Sequence, residues 1–244
     1  MPKFFVPKFN IDDSFIKIDG EDVSHIKKVL RMREGEEIDI CDSAGYDYKA
    51  VIESINEKDI LCKISSKNKS ETEPPVKVVL FQGLPKASKM DYIIQKNTEL
   101  GISEIVPCAL SRCVVKLEGD KKTARWQKIS EEAAKQSGRG IVPIVHNPVN
   151  IDKAIEMMKD YDLKFVPYEC EEQTNLKSVL LSKDNIKKVG FMIGPEGGFD
   201  KAEIEKLKQN GIIPVSLGKR ILRTETAGEA VLSMVMYEIG DVNF

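Results

Sequence analysis

The glycine-rich segment at 194–198 is the part of the chain best suited to bind a ligand through its backbone. Its sequence, Gly-Pro-Glu-Gly-Gly, follows an apolar run at 189–193 and precedes a helix-start signal, Asp200 with Glu203 three residues later. Three glycines allow positive φ angles and a close approach of the main chain to a ligand, whereas Pro195 stiffens the turn. The spacing fits neither a Walker loop nor the dinucleotide fingerprint, which disfavours a phosphate cradle. Taken alone, these glycines fit a simple strand–helix connection equally well.

A second loop, at 218–225, carries cationic and acidic groups at the corresponding place in the next unit. It follows a strand-like run at 212–217 and precedes another helix-start signal, Thr226 with Glu229. The sequence therefore predicts two neighbouring strand–loop–helix units. Because open α/β sheets bind ligands at the carboxyl ends of their strands, we expect both loops to border one site.

Together, the two loops resemble those of the SPOUT class of S-adenosylmethionine-dependent RNA methyltransferases. Within that class the chain is most similar to the small-subunit ribosomal RNA methyltransferase E family, which methylates N3 of one uridine in 16S rRNA. The likeness covers nearly the whole chain and extends to the segments 90–101, 111–115 and 126–139, and to His25, 29–33 and Gly35 near the amino end. Gly140 is a departure, because several relatives have Asn there.

The chain divides most naturally at the polar segment 65–75, which contains no apolar residue before its two closing prolines and is typical of a linker. Upstream, short strands are predicted at 37–41, 48–55 and 60–64, with one helical segment at 21–30. Downstream, strands alternate with helices, which favours a parallel sheet covered on both faces. The downstream strands are predicted at 76–82, 104–109, 163–166, 189–193 and 212–217.

The resemblance refines this division into a PUA-like β-barrel RNA-binding domain at 1–72 and a SPOUT methyltransferase domain at 73–244. The SPOUT domain is an α/β fold with a parallel sheet and a C-terminal deep trefoil knot. General folding rules predict an unknotted chain, so the knot is implied by the resemblance alone.

The resemblance also implies that S-adenosyl-L-methionine is the cofactor and that the two loops enclose it. The residues it implies for cofactor binding lie in the loops and at the ends of the strands that precede them. They are Val166, Pro167, Ile193, Gly194, Pro195, Glu196, Gly197, Gly198, Leu217, Gly218, Ile221, Leu222, Thr224 and Ala227.

The reaction itself indicates which charged residues are needed. A sulfonium methyl group is already activated, so the enzyme mainly has to position the nucleophile, and no metal is required. Uridine N3 must lose its imide proton, which places negative charge on two carbonyl oxygens. We expect Arg223 and Arg220 to stabilise that charge, with Glu225 as the base or as an orienting carboxylate. Alternatively, Glu225 only supplies negative charge at the start of the next helix.

Candidate RNA-binding residues are basic or polar and lie on the other motifs that carry the resemblance. They are Arg31, Arg33, Lys96, Arg112, Gln136 and Arg139. The overall charge does not favour an RNA partner, because the net charge is −2 and neither predicted domain is strongly basic. Local basic clusters must then suffice, although such clusters are more commonly solvated helix faces, and Lys96 with Glu99 also fits a surface ion pair.

Composition sets wider limits. The chain has 244 residues, of which 41% are hydrophobic, so it can bury substantial cores. It has no run long enough for a membrane helix and no signal-peptide core, so we expect a cytoplasmic protein without a membrane partner. Five scattered cysteines predict buried free thiols and no metal site.

By resemblance, the partners are 16S rRNA within the small ribosomal subunit and a second copy of the chain in a homodimer. Three alternatives stay open: another SPOUT RNA specificity, a noncatalytic ribosome assembly factor, and a nucleotide-dependent oxidoreductase. The glycine spacing and the lack of a ribose-binding acidic pattern count against the oxidoreductase.

Overall fold

The computed structural model describes residues 3–114 and 120–242. The described residues form two compact units. The first consists of residues 3–73 together with 134–142, and the second of the described residues within 74–133 and 143–242. Within the described chain, no helix combines the length and the apolar character that a membrane-spanning segment needs.

The first unit is built on a five-stranded sheet. Its strands are β1 (Lys3–Phe5), β2 (Phe15–Asp19), β3 (Glu37–Cys41), β4 (Tyr46–Ile55) and β5 (Asp59–Lys69), in the order β1-β3-β4-β5-β2. Only the β1–β3 pair is parallel. A short helix α1 (Glu21–Ser24) continues as a wider π-type turn over His25–Leu30, so the predicted helical segment at 21–30 is confirmed.

Alternating side chains fill the core of this unit. Ile16 and Ile18 of β2 are buried together with Ile38 and Ile40 of β3, and Ile26 packs against them from the helical segment. This period of two is what a strand with one buried face requires. The apolar pattern therefore explains the buried face of this sheet.

The predicted linker at 65–75 is wrong over its first five residues. Strand β5 continues to Lys69, which pairs with Tyr46 of β4. Residues 67–69 are exposed, so main-chain pairing holds them without apolar burial. The Lys67 ammonium lies 4.6 Å from the centre of the Tyr46 ring, a cation–π contact across the strands that contributes where apolar residues are missing.

Residues 134–142 belong to the first unit through Glu73. The Glu73 carboxylate accepts hydrogen bonds from Arg139 Nη2 at 2.6 Å and from the amides of Gly140 and Ile141 at 2.9 and 3.0 Å. The Cys41 thiol also donates to the Gly140 carbonyl oxygen.

The second unit contains a parallel sheet covered by helices, which confirms the predicted α/β architecture. Its strands are β6 (Lys77–Gly83), β7 (Glu104–Ala109), β8 (Ile144–Val145), β9 (Val149–Asn150), β10 (Leu163–Pro167), β11 (Lys188–Ile193) and β12 (Ile213–Val215). The order is β12-β10-β11-β6-β7-β8, and β9 also pairs with β7. The trefoil knot that the resemblance implies stays a prediction.

Helices lie on both faces of this sheet. They are α2 (Lys89–Glu99), α3 (Asp120–Gln136), α4 (Ile151–Met157), α5 (Leu176–Leu180), α6 (Lys201–Gln209) and α7 (Thr224–Ile239). Along β6, Leu80 belongs to one apolar cluster with residues of α2 and α7, whereas Phe81 belongs to a second cluster with residues of α4 and α6. Both faces of the central strands are thus buried, as parallel strands require.

Candidate active site

The first glycine-rich loop leaves β11 at the carboxyl end of the sheet. Gly198 has a φ of +65°, a left-handed conformation in which a side chain would be strained. Pro195 packs directly on the end of β6, and a Cβ added to Gly83 would lie 2.7 Å from its ring. Glycine at both positions lets the loop fold tightly over the neighbouring strand.

Helix α6 begins with the capping box that the sequence predicts. The Asp200 side chain accepts a hydrogen bond from the Ala202 amide, and Glu203 Oε2 accepts one from the Asp200 amide. The other Glu203 oxygen accepts from the amide and the hydroxyl of Ser111, which follows β7. This carboxylate therefore holds the start of α6 against the adjacent strand end.

The second loop runs from β12 to α7, and its helix starts earlier than predicted. Helix α7 begins at Thr224 with Arg223 in extended conformation before it, so the predicted capping box of Thr226 with Glu229 is wrong. Thr226 lies within the first turn and is exposed, whereas Thr224 is buried.

A short chain of hydrogen bonds joins the two loops. The Thr224 hydroxyl donates to the Gly194 carbonyl oxygen at 2.6 Å and accepts from Gln82 Nε2 at 2.9 Å. Gln82 is fully buried near the end of β6. These bonds hold the start of the first loop against the end of the second.

The two loops border a cleft of about 500 Å³. The predicted cofactor residues that line it are Pro167, Ile193, Gly194, Pro195, Glu196, Gly197, Gly198, Leu217, Gly218, Ile221, Leu222, Thr224 and Ala227. Arg220 and Arg223 line it as well. Val166 does not, because its side chain is fully buried in the core cluster that contains Phe81. Glu225 is also absent from the cleft wall.

Sequence reasoning missed five residues of the cleft wall: Lys89, Tyr168, Glu169, Phe199 and Ser216. Lys89 is the most informative of them, because its ammonium lies 3.1 Å from Glu196 Oε1 and 3.2 Å from Glu225 Oε2. It thus joins the first loop to the start of α7. A lysine in the first turn of a helix opposes the helix dipole, and that unfavourable placement is the signal that could have found it.

The two carboxylates affect the protonation of Lys89. Hydrogen bonds to Glu196 and then to Glu225 raise the pKa of the Lys89 ammonium. For Glu196, partial burial acts to raise the pKa, but hydrogen bonds from its own amide and that of Lys86, with the Lys89 ammonium, outweigh burial and lower the pKa. Lys89 and Glu196 therefore both stay charged at neutral pH.

Arg220 and Arg223 differ from Lys89 because their guanidinium groups are available to contact a ligand. Both are exposed, and neither guanidinium has an ion-pair partner among the described residues. The cleft thus places two arginine cations beside a wall that is rich in glycine. Such groups can stabilise negative charge on a planar oxygen-bearing ligand.

The predicted RNA-binding residues are found in different settings. Arg112 donates from Nη1 to the Gly197 carbonyl oxygen at 2.9 Å, so it braces the first loop. Lys96 pairs with Glu99 at 2.9 Å. Arg31, Arg33 and Gln136 are exposed. Arg139 is only 3% exposed, and its ion pair with Glu73 makes it a poor candidate for an RNA contact.

Among residues 3–114 and 120–242, no group of three or more histidine, cysteine or acidic side chains is placed to hold a metal ion. Cys41, Cys62 and Cys108 are buried free thiols, whereas Cys113 is partly exposed and Cys170 exposed, so the prediction of buried thiols holds for three of the five.

Two family models match the chain: an RNA methyltransferase domain over residues 72–236 and an RNA methyltransferase PUA domain over residues 18–65. The chain is 36% identical to the ribosomal RNA small subunit methyltransferase E of Bacillus subtilis, over 98% of this chain and 97% of that protein. It is 34% identical to the protein of the same name from Mesomycoplasma hyopneumoniae, over 96% and 98% respectively.

Solved structures agree with these relatives. The structure of ribosomal RNA small subunit methyltransferase E from Neisseria gonorrhoeae bound to S-adenosyl methionine has a TM-score of 0.87 at 30% identity and covers all of both chains. A putative methyltransferase from Legionella pneumophila in complex with the same cofactor has a TM-score of 0.86 at 30% identity over 99% of both chains. The chain therefore belongs to the ribosomal RNA small subunit methyltransferase E family, with a PUA domain preceding an RNA methyltransferase domain of the SPOUT fold.

Proposed function

We propose that this protein transfers the methyl group of S-adenosylmethionine to N3 of a uridine in 16S rRNA of the small ribosomal subunit. The observation that carries the proposal is the cleft between the two loops, with Thr224 bonded to Gly194 where they meet. Its volume of about 500 Å³ is typical of small-molecule sites. The S-adenosyl methionine bound to the relative from Neisseria gonorrhoeae supports the same ligand here.

The residues of the cleft suit an adenosyl group. Ile193, Leu217 and Leu222 provide apolar surface for a flat ring, and the glycine-rich main chain beside them offers hydrogen-bonding groups without bulky side chains. When bound, S-adenosylmethionine supplies an activated methyl group on a sulfonium. The protein then has to hold the target nitrogen in line with that group and keep it there.

The two arginines of the cleft provide what uridine N3 requires. As the imide proton leaves, negative charge spreads to the two neighbouring carbonyl oxygens, and a guanidinium beside them lowers the barrier. Arg223 and Arg220 line the cleft and are not paired with described carboxylates. Glu225 is committed to Lys89, so we assign it an orienting role between α7 and the first loop, in preference to the role of base.

The target uridine must be unpaired or extruded, because N3 is occupied in a Watson–Crick pair. Exposed Arg31 and Arg33, which follow the π-type turn at His25–Leu30, suit contacts to phosphates of the same RNA. We also propose that the protein forms a homodimer, has a C-terminal knot and is located in the cytoplasm. These three points rest on its membership of the family. Light scattering of the purified protein tests the dimer.

Nucleoside mass spectrometry of 16S rRNA is the decisive experiment. We expect 3-methyluridine to disappear when the gene is deleted and to return with the wild-type gene. Persistence of 3-methyluridine in the deletion strain would rule out the proposed substrate. Loss of a different methylated nucleoside would instead identify another RNA specificity.

Calorimetry separates the remaining alternatives. We expect the purified protein to bind S-adenosylmethionine and not NADH, and to transfer label from S-adenosylmethionine to small-subunit RNA. Binding without transfer to any form of that RNA would support a noncatalytic assembly factor. Binding of NADH would support an oxidoreductase.

A further inference from the structure

We infer that Gln82 is a positioning residue for the methyl donor: acting through Thr224, it fixes the first loop relative to the second and so sets the affinity of the cleft. The inference rests on the proposed function, because it concerns the same cleft. Gln82 itself does not line the cleft.

Gln82 occupies the right place to control both loops. It lies next to last in β6 and is in register with Ile193, the last residue of β11 before the first loop. Its amide nitrogen uses both hydrogens, one donated to the Gly83 carbonyl oxygen at 3.0 Å and one to Thr224 Oγ1 at 2.9 Å. The side chain is fully buried, so water does not compete for either bond.

This arrangement fixes the direction of the Thr224 hydroxyl. An amide nitrogen can only donate, so the hydroxyl oxygen must accept from Gln82, and its single hydrogen is directed elsewhere. That hydrogen is donated to the Gly194 carbonyl oxygen, which lies 2.6 Å from the hydroxyl oxygen. The bond between the two loops therefore depends on Gln82, which does not itself line the cleft.

The stability of the fold alone does not explain why residue 82 has an amide side chain. Gln82 Oε1 is buried and has no hydrogen-bond partner among the described residues. An unpaired buried carbonyl destabilises a fold, whereas a methionine of similar size would avoid that penalty. The donors of Gln82 must then serve another purpose, and orienting Thr224 is the one that the contacts show.

Gln82→Met removes the donors with little change in volume, and Thr224→Val removes the hydroxyl. We expect each variant to bind S-adenosylmethionine about tenfold more weakly by calorimetry, which corresponds to about 1.4 kcal/mol. The KM for S-adenosylmethionine should rise with kcat changed much less, since the lost interaction is formed before the chemical step. Thr224→Ser keeps the hydroxyl and should bind nearly as tightly as the wild type.

The double variant tests whether Gln82 acts through Thr224. If it does, adding Gln82→Met to Thr224→Val causes no further loss of affinity. Asn97→Leu is the matched control, because Asn97 is equally buried but donates to Ile93 within α2. It should leave the affinity unchanged.

Amide hydrogen exchange in the free protein tests the same link without any ligand. We expect faster exchange at the amides of Gly194 and of residues 196–198 in Gln82→Met and Thr224→Val, and no change there in Asn97→Leu. The inference would be overturned if Gln82→Met had the affinity and the exchange rates of the wild type. It would also be overturned if Gln82→Met lowered the affinity as much in the Thr224→Val protein as it does in the wild type. If the wild type binds no S-adenosylmethionine, the proposed function fails, and the exchange result still decides whether Gln82 fixes the loops.

Discussion

Arg223 is the residue on which the proposed chemistry depends most directly. It is exposed at the cleft and unpaired among the described residues, so Arg223→Ala should leave the fold intact. The variant loses a cation placed to stabilise the charge that develops on the uracil ring, and removal of one such donor typically reduces turnover about a hundredfold. Single-turnover transfer of labelled methyl groups to small-subunit RNA measures the effect.

Lys219→Ala is the matched control for Arg223→Ala. Lys219 is an exposed cation of the same loop that does not line the cleft. Its removal should change methyl transfer by no more than about twofold, in keeping with the small effect of an exposed charge. Near-normal turnover of Arg223→Ala, or an equal loss in both variants, would remove Arg223 from the mechanism.

Gly140, in the first unit, lies so close to Ser70 that it leaves no room for a side chain. A Cβ at this position would lie 2.1 Å from the Ser70 hydroxyl oxygen and 2.3 Å from the Ser70 Cβ. Gly140→Ala should therefore destabilise the first unit by about 1–3 kcal/mol, the usual range for overpacking. Faster amide exchange in β3 and β4 would report this loss.

Ser70→Gly provides the compensating change for Gly140→Ala. In the double variant both nearest atoms are gone, so the exchange rates in β3 and β4 should return most of the way to those of the Ser70→Gly protein. A Gly140→Ala variant as stable as the wild type would show that the backbone here can shift without penalty.

Single residues show where sequence reasoning ends. The cleft wall was largely predictable, because its glycines and arginines stand together in two short motifs. Gln82 was not, because its partner Thr224 is 142 residues away and no motif surrounds it. Likewise, the sequence cannot show that Glu225 pairs with Lys89.

At the scale of elements, Gly228 lies inside α7 without a steric reason for glycine. An added Cβ would meet Asn97 Nδ2 at 3.7 Å and Gln82 Oε1 at 3.8 Å, which are ordinary contacts. Because glycine in a helix interior is about 1 kcal/mol less favourable than alanine, Gly228→Ala should stabilise the second unit by about that amount. Urea unfolding followed by the fluorescence of Trp126, which is buried in this unit, measures the change.

Gly240→Ala provides a control of opposite sign at the end of the same helix. Its Cβ would lie 2.7 Å from the Met236 Cα, so this variant should be destabilised. A destabilised Gly228→Ala protein would mean that the space beside Gln82 and Asn97 has to remain free of a methyl group.

The elements themselves were predictable where local chemistry decides them. The box of Asp200 with Glu203 starts α6 as expected, because both hydrogen bonds are local. Thr226 with Glu229 has the same pattern but does not start α7, since the bond from Thr224 to Gly194 fixes the helix start two residues earlier. Residues 65–69 contain no apolar residue, so their sequence predicts a linker. Residues 66–69 are nevertheless held in β5 by main-chain pairing with Tyr46–Lys49, which requires no apolar pattern.

At the scale of the whole molecule, the division into units was only partly visible in the sequence. The polar stretch before Pro74 indicates where the first unit ends. The return of residues 134–142 to that unit depends on Glu73, which lies 66 positions before Arg139 in the chain. Contacts at such separations leave no local pattern, so the burial of Arg139 in an ion pair with Glu73 could not be predicted.

Stability in acid provides a prediction that concerns the second unit as a whole. The hydrogen bond with the His146 ring, aided by the Lys77 ammonium, outweighs burial and lowers the pKa of Glu104 from its ordinary value of 4.5 to about 2. Because this pKa is lower in the folded than in the unfolded chain, the carboxylate stabilises the fold above about pH 4.5. That contribution, at most about 3 kcal/mol, is lost as the pH falls from 4.5 towards 2.

Glu104→Gln isolates this contribution, because the variant keeps every other carboxylate of the wild type and their effects on stability cancel in the comparison. Urea unfolding followed by Trp126 fluorescence should show the wild type more stable than the variant at pH 5.5, with the difference narrowing steadily at lower pH. Glu205→Gln, which removes only an exposed ion pair with Lys208, should differ little from the wild type throughout. A difference between wild type and Glu104→Gln that stays constant from pH 5.5 to pH 3 would mean that Glu104 acts by packing and neutral hydrogen bonding, and that its charge contributes nothing to the fold.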